Sequence, residues 1–297
     1  MLRHIRIVSP SGAIEPEYIK GAMERLLSLG FEVSVAPHAY GRSGRFAATD
    51  DERLADLNEA LQDPTVDAIL CSRGGYGLQR IIDRVVAVHK PIIGFSDITA
   101  LHQLSAISSQ PSVHSIMCKH LATLPQQSEA FRRTIELLQG APLRYELPTH
   151  PLNRTGETTA PLIGGNLSVL YGLQGTPFEI KNLKLKIKNC NQRPILLIED
   201  ICERHYHIDR MMNNLRLSGV LEHLSGLIVG QFTDCEDDPL MGETVLETIA
   251  RYAAPYDYPV VFDAPVGHVA HNLPLWLNRP TKLTVTNDYV QIVQDND

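Results

Sequence analysis

The sequence predicts an α/β protein of two domains, an N-terminal parallel-sheet α/β domain and a C-terminal mainly β domain of the α+β type. Strand and helix patterns alternate over about the first 140 residues, and short β-rich runs dominate the second half. A polar, turn-rich stretch over 142–161 separates the two patterns and is predicted to be a linker. Repeated strand–helix units form a parallel sheet with helices on its faces. We therefore expect domains at 1–150 and 151–297.

Four strands, each followed by a helix, are predicted in the N-terminal domain. The strands are apolar or β-branched runs at 6–9, 31–36, 66–71 and 91–95. The helices have apolar residues at helical spacing and lie at 15–29, 50–61, 78–89 and 98–107. Gly30 is a natural C-cap for the first helix, and Thr49 or Asp50 can cap the second.

The C-terminal domain is predicted from its β-rich runs, which lie at 184–188, 194–198, 227–229, 259–262, 282–286 and 289–293. Asn287 and Asp288 separate the last two runs and predict a hairpin. Helical patterns over 207–221 and 242–253 interrupt the strands.

Composition excludes several classes of protein. Of 297 residues, 43% are hydrophobic and 21% charged, which is typical of a globular chain. The net charge of −7 argues against nucleic-acid binding, and the apolar runs fall far short of the roughly 18 residues that cross a membrane. Cysteines at 71, 118, 190, 202 and 235 form no close pair, which suits a reducing compartment. We expect a cytoplasmic protein.

Ser96 is a candidate nucleophile at a strand-to-helix turn. It follows the predicted strand over 91–95, with Gly94 two residues before it. The N–H groups of Asp97 and Ile98 open a helix N-terminus, whose partial positive charge suits a developing oxyanion. The G-x-S-x-G motif of α/β-hydrolases is absent, because Ile98 stands where its second glycine would be. The alternative is that Ser96 only caps the helix.

A glycine-rich run, Arg73-Gly-Gly-Tyr-Gly77, ends the predicted strand over 66–71. Glycines let the backbone approach a ligand closely and expose its N–H groups. The run is neither a dinucleotide fingerprint nor a P-loop, since no Lys-Ser/Thr follows it. It predicts an oxyanion donor beside Ser96, and the alternative is a sharp βα turn.

A serine nucleophile needs a base, and the base needs an orienting carboxylate. His268 lies on a loop after a predicted strand, and His114 is the competing histidine. The candidate carboxylates are Glu199 at the end of the strand over 194–198, its neighbour Asp200, and Asp263. The residues alone do not choose among them.

Metal binding is the rival chemistry. Two runs carry ligand types at short spacing, His114-x-x-x-Cys118-x-His120 and Cys202-x-x-His205-x-His207. Neither matches a zinc pattern such as paired C-x-x-C or H-E-x-x-H. We therefore expect no metal and no cofactor.

Taken together, several segments of the chain resemble the serine LD-carboxypeptidases, a family that includes the microcin C self-immunity proteins. The segments occur in the family's order and lie at 73–77, 94–101, 162–167, 197–200, 230–235 and 267–268. The chain departs from the family at His114-Ser115-Ile116, where His-Gly-Pro is common, and also after His268.

The resemblance implies a catalytic triad drawn from both domains. Ser96 would be the nucleophile, His268 the general base and Glu199 the orienting carboxylate. The backbone N–H groups of Gly75 and Asp97 would form the oxyanion hole. The implied activity is hydrolysis of the amide between an L-centre and the terminal D-Ala of cytoplasmic murein tetrapeptides.

A released D-Ala carries a carboxylate, so the substrate site should contain a cation, for which Arg73 and Arg204 are candidates. We expect a small peptide as the partner, neither nucleic acid nor membrane, and a homodimer as in relatives. Two alternatives stay open, a self-immunity-type carboxamidase or nucleotidyl-peptide hydrolase, and a non-catalytic two-lobed ligand-binding protein.

Overall fold

The computed structural model describes residues 2–182 and 193–295, which form two compact units. The N-terminal unit comprises Met1–Ala141 and Ala270–Leu277, and the C-terminal unit comprises Pro142–Val269 and Asn278–Asp297. The division thus comes earlier than the expected boundary at residue 150, and a short late segment returns to the N-terminal unit.

A six-stranded sheet forms the centre of the N-terminal unit, in the order β11-β5-β4-β3-β1-β2. Its strands are β1 His4–Val8, β2 Glu32–Val35, β3 Ala68–Cys71, β4 Ile92–Gly94, β5 Ser112–His114 and β11 Leu275–Leu277. The first five run parallel, and β11 pairs antiparallel with β5. The predicted parallel sheet is confirmed, and β11 completes it from a distant part of the chain.

Five helices belong to this unit. They are α1 Pro16–Ser28, α2 Asp50–Gln62, α3 Thr99–Ile107, α4 Cys118–Thr123 and α5 Glu129–Leu138. Thr49 caps α2 in a reciprocal arrangement with Glu52. The helix predicted over 78–89 is wrong, because the chain forms two 3₁₀ turns, Leu78–Arg80 and Ile82–Arg84.

Asn58 explains why that segment is not an α-helix. Its side-chain amide donates to the Arg84 carbonyl at 3.2 Å, and its side-chain oxygen accepts from the Val86 N–H at 3.0 Å. These bonds satisfy backbone groups that a continuing helix would otherwise pair.

A seven-stranded sheet forms the C-terminal unit, in the order β10-β9-β8-β7-β12-β13-β6. Its strands are β6 Leu143–Leu147, β7 Gly156–Asn166, β8 Ile195–Ile201, β9 Gly226–Thr233, β10 Val260–Val261, β12 Pro280–Val285 and β13 Val290–Gln294. Strands β7 to β10 run parallel, and the remaining pairs are antiparallel. The predicted hairpin at 287–288 is confirmed as the β12–β13 connection.

The linker predicted over 142–161 is wrong, because this stretch contains β6 and the first half of β7. The exposed and half-buried polar residues of β7 alternate until Ala160, as on a strand with one solvated face. The strand predicted at 184–188 and the cysteine at 190 lie outside the described residues.

Within the described residues, three helices lie between successive parallel strands of this sheet along the chain. They are α6 Leu167–Gly172, α7 His205–Leu217 and α8 Val245–Ala253. The predicted fold class is confirmed: a parallel α/β sheet in one unit and a β-rich sheet in the other. No helix within residues 2–182 and 193–295 is long and apolar enough to cross a membrane.

Candidate active site

The Ser96 turn, residues 94–98, joins β4 to α3 in a strained backbone conformation. Ser96 has a φ of 67°, in the left-handed region that non-glycine residues rarely adopt. A 3₁₀ turn over Ser96–Ile98 follows and leads into α3. Ser96 is not the N-cap of either helix, since Phe95 and Ile98 occupy those positions. Strain of this kind is concentrated at functional sites, where it aims a side chain.

Two glycines make room for this turn. A Cβ on Gly74 would lie 2.7 Å from the Cβ of Ser96 and 3.0 Å from its Oγ. A Cβ on Gly94 would lie 3.0 Å from Cγ1 of Ile98. The 2.7 Å distance is shorter than real Cβ contacts, so a side chain at Gly74 would displace Ser96, and one at Gly94 would press on Ile98, the N-cap of α3.

The glycine loop, residues 73–77, follows β3 and packs directly on the Ser96 turn through Gly74. Gly75 has a φ of 103° and Gly77 a φ of 134°, both values that favour glycine. Gly75 is exposed. The loop therefore leaves the Gly75 backbone accessible, as a backbone oxyanion donor requires.

Asp97, the residue after the serine, is buried. Its Oδ2 atom accepts hydrogen bonds from the Ser11 hydroxyl and, at 3.0 Å, from the Leu78 N–H. Burial raises the pKa of this carboxyl, against the lowering effect of its two donors.

Glu199 and His268 form a hydrogen-bonded pair within the C-terminal unit. His268 Nδ1 lies 2.7 Å from Glu199 Oε2, and the Glu199 side chain is fully buried. Because an ionised carboxylate only accepts hydrogen bonds, Nδ1 carries the proton of the neutral ring and Nε2 is the basic nitrogen. This is how a carboxylate orients a histidine for general-base chemistry.

Two further glycines let the His268 loop, residues 266–268, approach β8. A Cβ on Gly230 would lie 2.4 Å from the Val266 carbonyl oxygen. One on Gly267, whose φ is 128°, would lie 2.9 Å from Glu199 Oε2. A larger residue at either position would force the loop away from the carboxylate.

The other candidate carboxylates have different partners. Asp200 accepts from the Asn166 side-chain amide at 2.9 Å and the Ser168 N–H at 2.8 Å. Burial, together with the adjacent Glu199 charge, raises the pKa of Asp200 to about 7. Asp263 accepts from the side chain of Gln231 at 2.8 Å. Of the three, Glu199 is the acid hydrogen-bonded to His268.

The histidine–cysteine runs do not assemble a metal site in the described chain. Residues 2–182 and 193–295 contain no group of three His, Cys, Asp or Glu side chains suited to hold a metal ion. Burial raises the pKa of the Cys118 thiol to about 12, which disfavours the ligating thiolate. His114 is fully buried, with its ring centroid 5.6 Å from that of Phe95. His205 Nε2 lies 2.7 Å from Thr248 Oγ1.

The two candidate cations differ in surroundings. Arg73 is exposed in the glycine loop, and its Nη1 donates to the Ala13 carbonyl at 2.7 Å. Arg204 is exposed at the start of α7 and lines a pocket of about 390 Å³ in the C-terminal unit. Acidic residues also line that pocket: Glu203, Asp234, Glu236, Asp237 and Asp238. They make it a poor place for a substrate carboxylate.

Sequence reasoning missed the Asp97 side chain and Arg53, and it named Gly74 only as part of the glycine-rich run. Arg53 is 1% exposed and donates to the Gly77 carbonyl at 3.2 Å. An arginine at an apolar position of a predicted helix is a signal for such a buried cation. Burying an unpaired charge costs free energy, so an arginine at that position is expected to have hydrogen-bond partners. No local signal distinguishes Gly74 from its glycine neighbours.

Models of one protein family match most of the chain. The LD-carboxypeptidase N-terminal domain matches residues 5–115, and the LD-carboxypeptidase C-terminal domain matches residues 159–283. A probable murein peptide carboxypeptidase of Bacillus subtilis is 32% identical over 91% of this chain and 85% of its own. The murein tetrapeptide carboxypeptidase of Pseudomonas aeruginosa is 28% identical over 90% of this chain and 89% of its own.

Solved structures share the fold. A muramoyltetrapeptide carboxypeptidase from Oxalobacter formigenes superposes with a TM-score of 0.86 at 24% identity, covering 98% of both chains. The microcin C7 self-immunity protein MccF in complex with aspartyl sulfamoyl adenosine gives 0.80 at 20% identity, covering 99% of this chain and 96% of that one. With its family models and relatives, the chain therefore belongs to the LD-carboxypeptidase family and is a peptidase.

Proposed function

We propose that the protein is a serine LD-carboxypeptidase that removes the terminal D-Ala from murein tetrapeptides. The observation that carries the proposal is the 2.7 Å hydrogen bond between His268 Nδ1 and the buried Glu199 carboxylate. The strained turn that presents Ser96 supplies the nucleophile. The substrate class comes from the names of the relatives.

In the proposed acylation step, Ser96 Oγ attacks the carbonyl carbon of the amide before D-Ala. His268 Nε2 takes the hydroxyl proton, and Glu199 stabilises the resulting imidazolium. The oxyanion forms as the carbon becomes tetrahedral. The backbone N–H groups of Gly75 and Asp97 hold it, each worth about 3–4 kcal/mol in comparable sites.

Collapse of this intermediate breaks the carbon–nitrogen bond. His268 gives its proton to the leaving amine, so D-Ala departs as a neutral amine and an acyl-Ser96 ester remains. Water then attacks the ester carbonyl, with His268 accepting the proton of the water. The bond between the carbonyl carbon and Ser96 Oγ breaks, His268 returns the proton to Oγ, and the tripeptide is released.

Arg73 is the better of the two candidates for the substrate carboxylate. It lies in the same loop as the proposed oxyanion donor Gly75. Its Nη1 donates to the Ala13 carbonyl, which is a neutral acceptor and so does not neutralise the positive charge of the guanidinium. Arg204 shares its pocket with acidic side chains, which repel an anionic substrate.

The proposal is tested by incubating the protein with murein tetrapeptide and measuring D-Ala release. Wild type should release D-Ala, whereas Ser96→Ala should keep its thermal transition and lose at least about 10³-fold in kcat. Turnover should be indifferent to chelators. Undiminished turnover in Ser96→Ala would refute the assignment of the nucleophile.

An aminoacyl sulfamoyl adenosine tests the self-immunity alternative in parallel, with amide cleavage followed by chromatography. We expect the tetrapeptide to be the better substrate by kcat/KM. A preference for the nucleotide compound would move the protein to the self-immunity type, and the absence of turnover on both would favour a binding protein.

The cytoplasmic location and the homodimer stay predictions. The described cysteines Cys71, Cys118, Cys202 and Cys235 are free, which agrees with a reducing compartment. Size-exclusion chromatography with light scattering measures the oligomeric state.

A further inference from the structure

We infer that the buried Asp97 carboxylate is a positioning residue, which fixes the glycine loop against the Ser96 turn. The inference deepens the proposed function and rests on it, since it concerns the loop that would bind the oxyanion. The sequence singled out Asp97 only for its backbone N–H, and this role belongs to its side chain.

The carboxylate joins segments that are distant in sequence. Its Oδ2 atom accepts from the Ser11 hydroxyl, which follows β1, and from the Leu78 N–H at 3.0 Å, immediately after the glycine loop. Asp97 is bonded directly to Ser96. One oxygen atom therefore links the nucleophile's turn to the segments that follow β1 and β3.

Further contacts hold the same two segments together. Arg53 donates to the Pro10 carbonyl and, at 3.2 Å, to the Gly77 carbonyl. The Gly12 N–H donates to the Gly74 carbonyl at 3.1 Å. The glycine loop is thus tied at Gly74, Gly77 and Leu78, and the two residues between these ties, Gly75 and Tyr76, are exposed.

This arrangement explains why a carboxylate is buried at 3% exposure beside the nucleophile. Removing a carboxylate from water is costly, and a nonpolar side chain would fill the space more cheaply. The carboxylate is needed because, without it, the Leu78 N–H and the Ser11 hydroxyl would lose the oxygen atom that accepts their hydrogen bonds. A backbone N–H stabilises a transition state only when it is already aimed at the oxyanion.

The experiment compares Asp97→Ala, Asp97→Asn and Ser11→Ala with wild type. Two quantities are measured, kcat and KM on murein tetrapeptide and the rate at which a fluorophosphonate labels Ser96. In that labelling, the serine oxygen displaces fluoride from phosphorus, and the proton leaves through the general base.

We expect Asp97→Ala to lower kcat and the labelling rate about 100-fold, with KM changed less than about threefold, because a misaimed donor costs transition-state binding. Asp97→Asn retains an oxygen acceptor for both donors, so it should recover activity to within about tenfold of wild type. Ser11→Ala removes one donor and should lie between the two.

Asp56→Asn is the matched control. Asp56 is a buried carboxylate of the same unit that accepts two bonds from His38, at 2.9 Å and 2.8 Å, away from the glycine loop. It should lower the thermal transition without lowering kcat. If Asp97→Ala does not fold, Ser11→Ala carries the test, because it removes one of the two donors and is expected to lower kcat.

Equal kcat in wild type, Ser11→Ala and, where it folds, Asp97→Ala would overturn the inference, as would a loss confined to KM. A failure of the proposed function is separate. If wild type released no D-Ala, the labelling rates would still show whether Asp97 positions the loop.

Discussion

The Ser96 turn and the His268 loop hold their functional side chains by different means. Ser96 is held by its backbone, which has a left-handed conformation. The next residue, Asp97, is held in turn by its buried carboxylate, which accepts a hydrogen bond from the Ser11 hydroxyl. His268 is held by its side chain, through one hydrogen bond to Glu199 at 2.7 Å. In both regions a glycine supplies the space, Gly74 in one and Gly267 in the other.

The difference matters for substitution. A nucleophile fixed by its backbone should fail when a Cβ intrudes or when the buried acceptor of Asp97 is removed, and should tolerate a change that keeps both the space and the acceptor. A base fixed by one hydrogen bond should fail when the chemistry of its partner changes, even when the shape is kept. Substitutions in each region test this contrast, and the largest effect is expected at Glu199.

Glu199→Gln changes chemistry without changing shape. Glutamine can donate to His268 Nδ1, which stabilises the wrong tautomer and leaves Nε2 protonated. We expect kcat on tetrapeptide to fall about 10³–10⁴-fold, with the thermal transition shifted only slightly. Steady-state kinetics and thermal unfolding measure the two effects.

Asp200→Asn is the matched control, because Asp200 is the adjacent buried acid and bonds Asn166 and Ser168 instead. It should retain kcat to within about tenfold. If Asp200→Asn lost as much activity as Glu199→Gln, the orienting carboxylate would have been assigned to the wrong residue.

Gly74→Ala tests the backbone-held region. Its Cβ would lie 2.7 Å from that of Ser96, so the nucleophile must move. We expect kcat to fall about 100-fold, because a small displacement of reacting groups has an effect of this size. Gly30→Ala serves as the control.

Gly30 has a φ of 88°, and a Cβ added there would meet no neighbouring atom within 4 Å, so alanine strains only the end of α1. It should cost about 1 kcal/mol in the free energy of unfolding and leave kcat unchanged. Equal kcat in Gly74→Ala and wild type would show that the Ser96 turn is not sterically fixed.

The last expected effect is on stability rather than on kcat and involves His102, whose Nε2 lies 3.0 Å from the carbonyl oxygen of Gly94. Burial lowers the pKa of His102 to about 4, below the usual 6.5. The unfolded chain therefore binds more protons between these values, and stability is lost as the pH falls through this window. The contribution is on the order of 3 kcal/mol.

Denaturant unfolding of wild type and His102→Gln at pH 7 and pH 4.5 measures this contribution. The loss of stability on acidification should be smaller in His102→Gln. The raised pKa of Asp200 stabilises the fold at low pH, and this stabilisation is lost as the pH rises toward 7. In Asp200→Asn the loss of stability between pH 7 and pH 4.5 should therefore be larger than in wild type. The same pH dependence of the free energy of unfolding in all three proteins would contradict the lowered pKa of His102 and the raised pKa of Asp200.

The sequence predicts most elements near Ser96, because short apolar strands and periodic helices are local signals. The failures have non-local causes. The helix predicted over 78–89 is replaced by turns, and the Asn58 side chain pairs with backbone groups of Arg84 and Val86 there. Strand β11 joins the first sheet from residues 275–277, far along the chain. The stretch at 142–161 is polar because β7 has a solvated face there, which composition alone does not distinguish from a linker.

The candidate site shows the same limit. Gly94 and Ser96 are recognisable from their place after a strand, whereas the pairing of His268 with Glu199 spans 69 residues. The residues alone leave Glu199, Asp200 and Asp263 open, and only the resemblance to a family favours the first. The Asp97 side chain escapes sequence reasoning because its partners lie 86 and 19 residues away.

The most direct test of the account is the rate of Ser96 labelling by a fluorophosphonate in wild type and His268→Ala. Activation of Ser96 by His268 predicts that wild type labels at Ser96 and that His268→Ala is at least about 10³-fold slower. Equal labelling rates in the two proteins would contradict it.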